Sequence, residues 1–412
     1  MSTIRPFRGY RPQKELADKI AALPYDVMNS AEAREMVTGN MYSFLHVDKA
    51  EIDLPEGTDL YSHQVYQKAA SNLQKMISEN WYLLEEKPCL YIYAQTMNGR
   101  TQTGIVGCAS VDEYINNTIK KHEKTRADKE ADRIRHVDTC NANTGPIFLT
   151  YRPKDEITQI TEKYTSKAPV YDFVADNVRQ QVWIVDDNSD IENIQSAFST
   201  IPSLYIADGH HRAASAVNVA KKRREANPDY TGDEEFNFFL AVYFAADQLE
   251  IMDYNRLIAD TNGLDASQLI GKLSDKFIVC EIDKANRKPT EKHTFSMYID
   301  GRWYRLTARD GSFDATDPVS RLDVSILQNN AISPIFGIID PRTDKRIDFV
   351  GGIRGLDELE KRCREDMKLA FAMYPTTLED LIDIADAGLI MPPKSTWFEP
   401  KLLSGLFIHK LS

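Results

Sequence analysis

Cysteine is scarce in this 412-residue chain: Cys89, Cys108, Cys140, Cys280 and Cys363 are widely scattered and form no CxxC pair. That scarcity argues against a disulfide framework and against a zinc knuckle. Long apolar runs are missing, so no stretch approaches a membrane span. Arg5, Arg8 and Arg11 near the amino terminus are not followed by the apolar core of a secretory signal, and a cytoplasmic protein is expected. Basic charge is in deficit: 50 Lys and Arg against 62 Asp and Glu give a formal net charge of −12. No overall field therefore attracts nucleic acid or an anionic membrane surface. Also absent are a GxxxxGKS/T phosphate loop, a GxGxxG after the first strand, HExxH and GxSxG. The isolated His46, His63, His293 and His409 have no ligand-like spacing and read as structural.

What is present is ordinary for a folded protein, with 42% hydrophobic and 27% charged residues. The patterning predicts a mixed α+β chain in three parts, 1–110, 111–250 and 251–412. In the first, Val65, Ala69, Leu73, Met76 and Ile77 recur at helical spacing between Ser62 and Trp81. Strand-like Cys89 to Gln95 and Thr101 to Ala109 flank the hairpin signal Asn98-Gly99. The charge-rich run Val111 to His136 reads as a solvated helix. Ile147 to Tyr151, Val182 to Val185 and Leu204 to Ala207 read as buried strands. A helix from Gly209 to about Asn227 and an acidic loop to Glu235 precede the apolar run Phe236 to Phe244. Beyond Met252 the pattern predicts a second antiparallel sheet with a hairpin at Asp300-Gly301. Two helices follow, Leu356 to Met373 and Leu378 to Ala387, the latter opened by a capping box from Thr377 to Asp380.

The chemistry concentrates in Leu204-Tyr205-Ile206-Ala207-Asp208-Gly209-His210-His211-Arg212. A buried strand runs through a glycine turn into a helix whose first turn carries two histidines and an arginine. Helix amino termini present unpaired N–H groups and a positive dipole end, Gly209 permits close approach, and Arg212 can grip phosphate oxygens with its fork. Anion binding, and phosphate in particular, is the expected chemistry. The plain alternative is a helix capped by Asp208. Lys394-Ser395-Thr396 on the double-proline turn Met391-Pro392-Pro393 can bind a second phosphate or a carboxylate, or form a surface turn. Arg126, Arg133, Arg135 and His136 are further candidates for the anion site.

The Asp208-Gly209-His210-His211-Arg212 box resembles the Gly-x-x-Arg box of the ParB and sulfiredoxin superfamily, whose free serine kinases carry a similar Asp-Gly-His-x-Arg. Together with Pro24-Tyr25-Asp26-Val27, Met391 to Thr396 and Gly405-Leu406, the whole chain resembles the domain-of-unknown-function family ten-fifteen. The superfamily resemblance implies a ParB/sulfiredoxin-like nucleotide-binding core with additional terminal segments. His210 stands where sulfiredoxins have their reactive cysteine, and no helix-turn-helix reader of the ParB kind is evident, which disfavours both of those activities. The remaining branch implies phosphorylation of a small hydroxylated acceptor, free L-serine first, from ATP or ADP with Mg2+. A nucleotide-binding switch without turnover is the rival. Carried over by the resemblance, Gly209, His210, His211 and Arg212 hold phosphates and Glu123, in His122-Glu123-Lys124-Thr125, is the base. Asp208 binds the metal or orients His210, and Asp26 and Glu130 are reserve bases. The expected partners are small molecules, with no nucleic acid and no membrane, and a homo-oligomer is left open.

Overall fold

The computed structural model describes residues 1–412, and its fold class is α+β. The chain forms two compact units: Met1–Leu249 joined by Pro400–Ser412, and Glu250–Glu399. The second unit is thus inserted within the first. Residues on both sides of position 110/111 share one sheet of the first unit.

In the first unit, helix α1 (His63–Ser78) precedes strands β1 (Leu90–Met97), β2 (Arg100–Ser110) and β3 (Ile119–Lys120). Helix α2 (Ala127–Cys140), β4 (Ile147–Tyr151), β5 (Tyr171–Ala175), β6 (Val178–Val185), β7 (Leu204–Asp208), α3 (His210–Ala226) and β8 (Phe238–Ala245) follow. The eight strands form one mixed sheet in the order β3-β7-β4-β8-β2-β1-β6-β5. β7 runs parallel to β3 and antiparallel to β4, and β8 is parallel to β4. The carboxyl ends of β3 and β7 and the start of β4 therefore meet at one edge.

Local chemistry accounts for these elements. Asn98 and Gly99, at φ 52° and 80°, make the β1–β2 turn in the left-handed conformations a two-residue hairpin needs. One face of the sheet is covered by α3 through Ala213, Ala216, Val217 and Ala220, in the same core as Ile147, Leu149, Leu204 and Ile206. The small alanine side chains let the helix lie close to the sheet, and α2 packs along α3.

The expected helix from Val111 to His136 is interrupted. Its first turns end at Ile115, Asn117 takes φ 65°, and the Leu204 N–H draws the Thr118 carbonyl into the sheet at 3.0 Å. Burial of Ile119 beside β7 outweighs the helical propensity of the charged run, leaving residues 121–126 as a loop before α2.

The second unit contains β9 (Tyr254–Ile258), α4 (Ala266–Leu273), β10 (Phe277–Ile282), β11 (Thr294–Ile299) and β12 (Arg302–Ala308). It continues with β13 (Ile347–Gly351), α5 (Leu356–Glu365), β14 (Leu369–Met373) and α6 (Leu378–Asp386). Its sheet has the order β10-β12-β11-β14-β9-β13 and is antiparallel throughout. The expected helix over Leu356 to Met373 stops at Glu365. Leu369–Met373 is instead a wholly buried strand between β11 and β9, a short apolar run that periodicity does not separate from helix. The capping box at Thr377 and Asp380 is formed as expected.

The returning segment after residue 399 is stitched into the first unit by backbone pairing. Ser404 pairs with Ala22, Ile408 with Tyr10, and His409 with Asn143. Gly405 lies at φ 84°, donates its N–H to the Thr144 carbonyl at 3.2 Å, and leaves a Cβ only 2.6 Å from Phe44 Cγ. Gly405→Ala combines a left-handed backbone with a core clash, and we expect a loss of about 3 kcal/mol or more in chemical denaturation.

Candidate functional site

The edge where β3 and β7 end collects most of the box chemistry. The β7–β4 register shifts between Ile206 and Asp208, an irregularity that re-aims Asp208 at the strand end. Gly209 then adopts φ 90° and ψ 30° as the N-cap of α3 and supplies no side-chain cap. The first-turn N–H groups of α3 are thus left for other partners. The plain helix-cap reading does not describe this junction, because the Asp208 carboxylate is engaged by Lys401 Nζ at 3.4 Å and lies 3.9 Å from Arg212 Nη2.

Burial raises the Asp208 carboxyl, but Lys401 and then Arg212 outweigh it and hold the group below its ordinary value. Arg212 also donates through Nη1 to the Pro146 carbonyl at 2.7 Å. Its guanidinium lies over Gly209, where a Cβ would meet Nε at 3.3 Å. Arg212 therefore braces the end of β7 against the start of β4, and only part of its fork remains to face a ligand.

Glu123, from the loop after β3, meets the box directly. Its Oε2 is 3.8 Å from His210 Nδ1, and its side chain is 47% exposed whereas that of His210 is 6% exposed. The His122 ring stands edge-on to that of His210, with centroids 4.5 Å apart and planes at 90°. Both His122 nitrogens and His210 Nε2 are buried with no hydrogen bond of good geometry. Burial is the largest influence on both rings, pushing His122 down to about 4 and His210 well below the usual histidine range. The pair is neutral at neutral pH, so His210 meets any anion as an uncharged ring at a helix terminus.

The other candidates divide. His211 is half-buried and held low by burial, with Asp26 and Glu130 as the leading acidic influences on it. Glu130 accepts from Thr125 Oγ1 at 2.8 Å and from Asn218 Nδ2 at 2.6 Å, so its carboxylate is tied down. Arg133 is buried, paired with Asp132 at 2.8 Å and stacked 4.1 Å from the Tyr25 ring. Arg126 pairs with Asp128 in solvent, Arg135 reaches the Tyr61 carbonyl, and His136 bonds the Val47 carbonyl. Lys394, Ser395 and Thr396 belong to the second unit, whereas the box belongs to the first.

Sequence reasoning missed Lys401 and the strut from Arg212 to Pro146. Lys401 sits in no motif, whereas the strut has a sequence trace in the Thr144-Gly145-Pro146 break before β4. The residues do not fit a resident Mg2+. That ion takes oxygen ligands in an octahedron, and the Asp208 carboxylate is already the partner of two cations. No group of three His, Cys, Asp or Glu is placed to hold a metal.

Fold and site together define an α+β protein with a strand–glycine–helix junction, beside which stand a carboxylate and a neutral histidine pair. The chain belongs to the family described as protein of unknown function DUF1015, which it matches over residues 4–325. The Met391 to Thr396 element lies beyond the matched residues. No curated protein matches. Among solved structures it is similar to a free serine kinase in complex with AMP, at 13% identity and TM-score 0.34, covering 72% of this chain and 86% of that one. It is also similar to a conserved hypothetical protein from Pyrococcus furiosus, at 14% and 0.35, covering 73% and 94%. A third is C-terminally truncated SbnI from Staphylococcus aureus, at 10% and 0.37, covering 72% and 85%. No helix is long and apolar enough to cross a membrane.

The histidine pair has a thermodynamic consequence. His122 keeps its ordinary value near 6.5 when unfolded and is at about 4 when folded, so its contribution to stability is full above pH 6.5 and is lost as the pH falls towards 4. We expect His122→Phe to reduce the stability lost between pH 7 and pH 5 by about 1–2 kcal/mol, measured by urea denaturation at both values.

Proposed function

We propose that the first unit binds a nucleotide by its phosphates and transfers a phosphoryl group to a small hydroxylated acceptor, with ATP or ADP as donor. The observation that carries this reading is the convergence of Glu123 with His210 at 3.8 Å, beside Gly209, Arg212 and Lys401. A carboxylate able to take a proton thus stands next to a helix terminus able to take phosphates. Free L-serine as acceptor rests on the likeness of the Asp208 to Arg212 box to that of the free serine kinases.

In this reading the N–H groups of His210, His211 and Arg212 receive phosphate oxygens, and Gly209 leaves room for them. Lys401 and the free part of the Arg212 fork offset the negative charge. Glu123 accepts the acceptor's hydroxyl proton as that oxygen bonds to the terminal phosphorus. The bond from this phosphorus to the bridging oxygen breaks, and the shortened nucleotide leaves with the electron pair. Transfer of this kind is mainly positioning and electrostatics, which suits a site with no activated nucleophile of its own. Asp208 serves as the partner that keeps Lys401 and Arg212 in place. Small soluble substrates of this kind suit a cytoplasmic enzyme.

The test combines nucleotide calorimetry with detection of O-phospho-L-serine. Wild type should form the product, and Glu123→Gln should slow transfer by about 10²–10⁴-fold while nucleotide affinity changes little. Lys401→Met should instead weaken nucleotide binding by roughly tenfold, the cost of one charge-assisted contact. Transfer undiminished in Glu123→Gln would remove the base from the scheme. Tight nucleotide binding without modification of any hydroxylated acceptor would leave the binding switch in its place.

A further inference from the structure

The Met391 to Thr396 turn does its work inside the second unit, around an arginine that has no acid to pair with. Arg256, on β9, is 4% exposed. Its Nη2 donates to the Lys394 carbonyl at 2.9 Å, its Nη1 donates to the Tyr254 carbonyl, and its guanidinium lies 5.6 Å from the centre of the Phe349 ring. No carboxylate shares these contacts, and Tyr254 is the one titratable group acting on it. Burial draws the guanidinium down to about 10, which leaves it cationic at neutral pH. A buried charge satisfied only by carbonyl dipoles is costly, and an anion placed against it recovers part of that cost.

Beside this cation is a cavity of about 390 Å³, within the range of small-molecule sites. Arg256, Val324, Gln328, Phe349 and the two prolines Pro392 and Pro393 line it, together with the charged Asp340 and Arg342. The turn is built to hold its shape. Two prolines fix successive φ angles, Lys394 takes φ 59°, Ser395 Oγ donates to the Pro392 carbonyl at 2.6 Å, and Thr376 Oγ1 donates to the Ser395 carbonyl at 2.9 Å. Gln328 opens a π-helical stretch, Gln328–Ile332, an irregularity that tends to accompany binding sites. The second arginine of the lining, Arg342, is already neutralised by Asp340 at 2.8 Å. One positive charge without a carboxylate partner therefore faces a space whose lining is mixed, apolar side chains beside Gln328 and the Asp340–Arg342 pair.

We propose that this cavity binds a small organic monocarboxylate with an apolar body. Its carboxylate sits against Arg256, and its body lies along Phe349, Val324 and the two prolines. A single cation balances a single negative charge, whereas a phosphate dianion would leave an excess negative charge beside Asp340, which also lines the cavity. The anion-binding role expected of Lys394, Ser395 and Thr396 is thereby reassigned: the Lys394 carbonyl holds Arg256, and Arg256 meets the ligand. The site is independent of the phosphate cradle, and either reading can fail without the other.

The experiment is calorimetry on the full chain with hexanoate, phenylacetate and indoleacetate, alongside phenylethanol and phenyl phosphate. At least one carboxylate should bind, with phenylethanol weaker than phenylacetate by about tenfold or more. Arg256→Lys should weaken the carboxylate by a similar factor. Ile339 lines the cavity and is 75% exposed, so Ile339→Glu adds a repelling charge at a position that does not bear on folding. It too should weaken the carboxylate while leaving ATP binding by the first unit as in wild type. Absence of binding by all three carboxylates, affinity unchanged in both variants, equal binding of phenylethanol, or preference for phenyl phosphate would each overturn the proposal.

Discussion

The Arg212 guanidinium is the interaction on which the first unit's site depends. It reaches back from the first turn of α3 to the Pro146 carbonyl, lies over Gly209, and comes within 3.9 Å of the Asp208 carboxylate. One planar cation thereby relates the end of β7, the start of β4 and the amino terminus of α3. Charge-assisted contacts at a half-buried position are worth more than the same contacts in solvent. Removing Arg212 would take this donor from the Pro146 carbonyl and leave Lys401 as the cation on Asp208. Glycine at 209 follows from this arrangement, because the guanidinium occupies the space above it and the backbone there is left-handed.

Around this brace the charges alternate. Lys401 and Arg212 share Asp208, and Glu123 stands across the neutral ring of His210. The two histidines fill the interior without adding charge, so the helix terminus and the two cations set the local field. With Asp208 and Glu123 set against Lys401 and Arg212, the cluster carries no large net charge of its own.

Much of the fold could be read from the sequence, since its signals were local. Asn98-Gly99, Asp300-Gly301, the stripe on α1 and the Thr377 capping box each fix an element by chemistry within a few residues, and the structure contains all of them. The misreadings came where a long-range contact decides. Ile119 leaves a helical run to pair beside β7, and Leu369–Met373 becomes a central strand although its composition suits a helix. The site was legible to the same degree. The box announced itself by density of polar groups at a strand end, whereas Lys401 arrives from a distant segment with no motif around it.

The insertion of Glu250–Glu399 within the first unit also sets an order of events during synthesis. The box, Glu123 and every strand of the large sheet leave the ribosome before the second unit is made, and Lys401 and Gly405 leave after it. At ordinary elongation rates this is a delay on the order of ten seconds. Throughout that interval the backbones of Tyr10 and Ala22 are without their partners Ile408 and Ser404, and Asp208 is without one of its two counter-charges. Completion of the contacts around Asp208 therefore reports that the inserted unit has been translated, and a message cut short within that unit yields a chain in which Asp208 never gains Lys401.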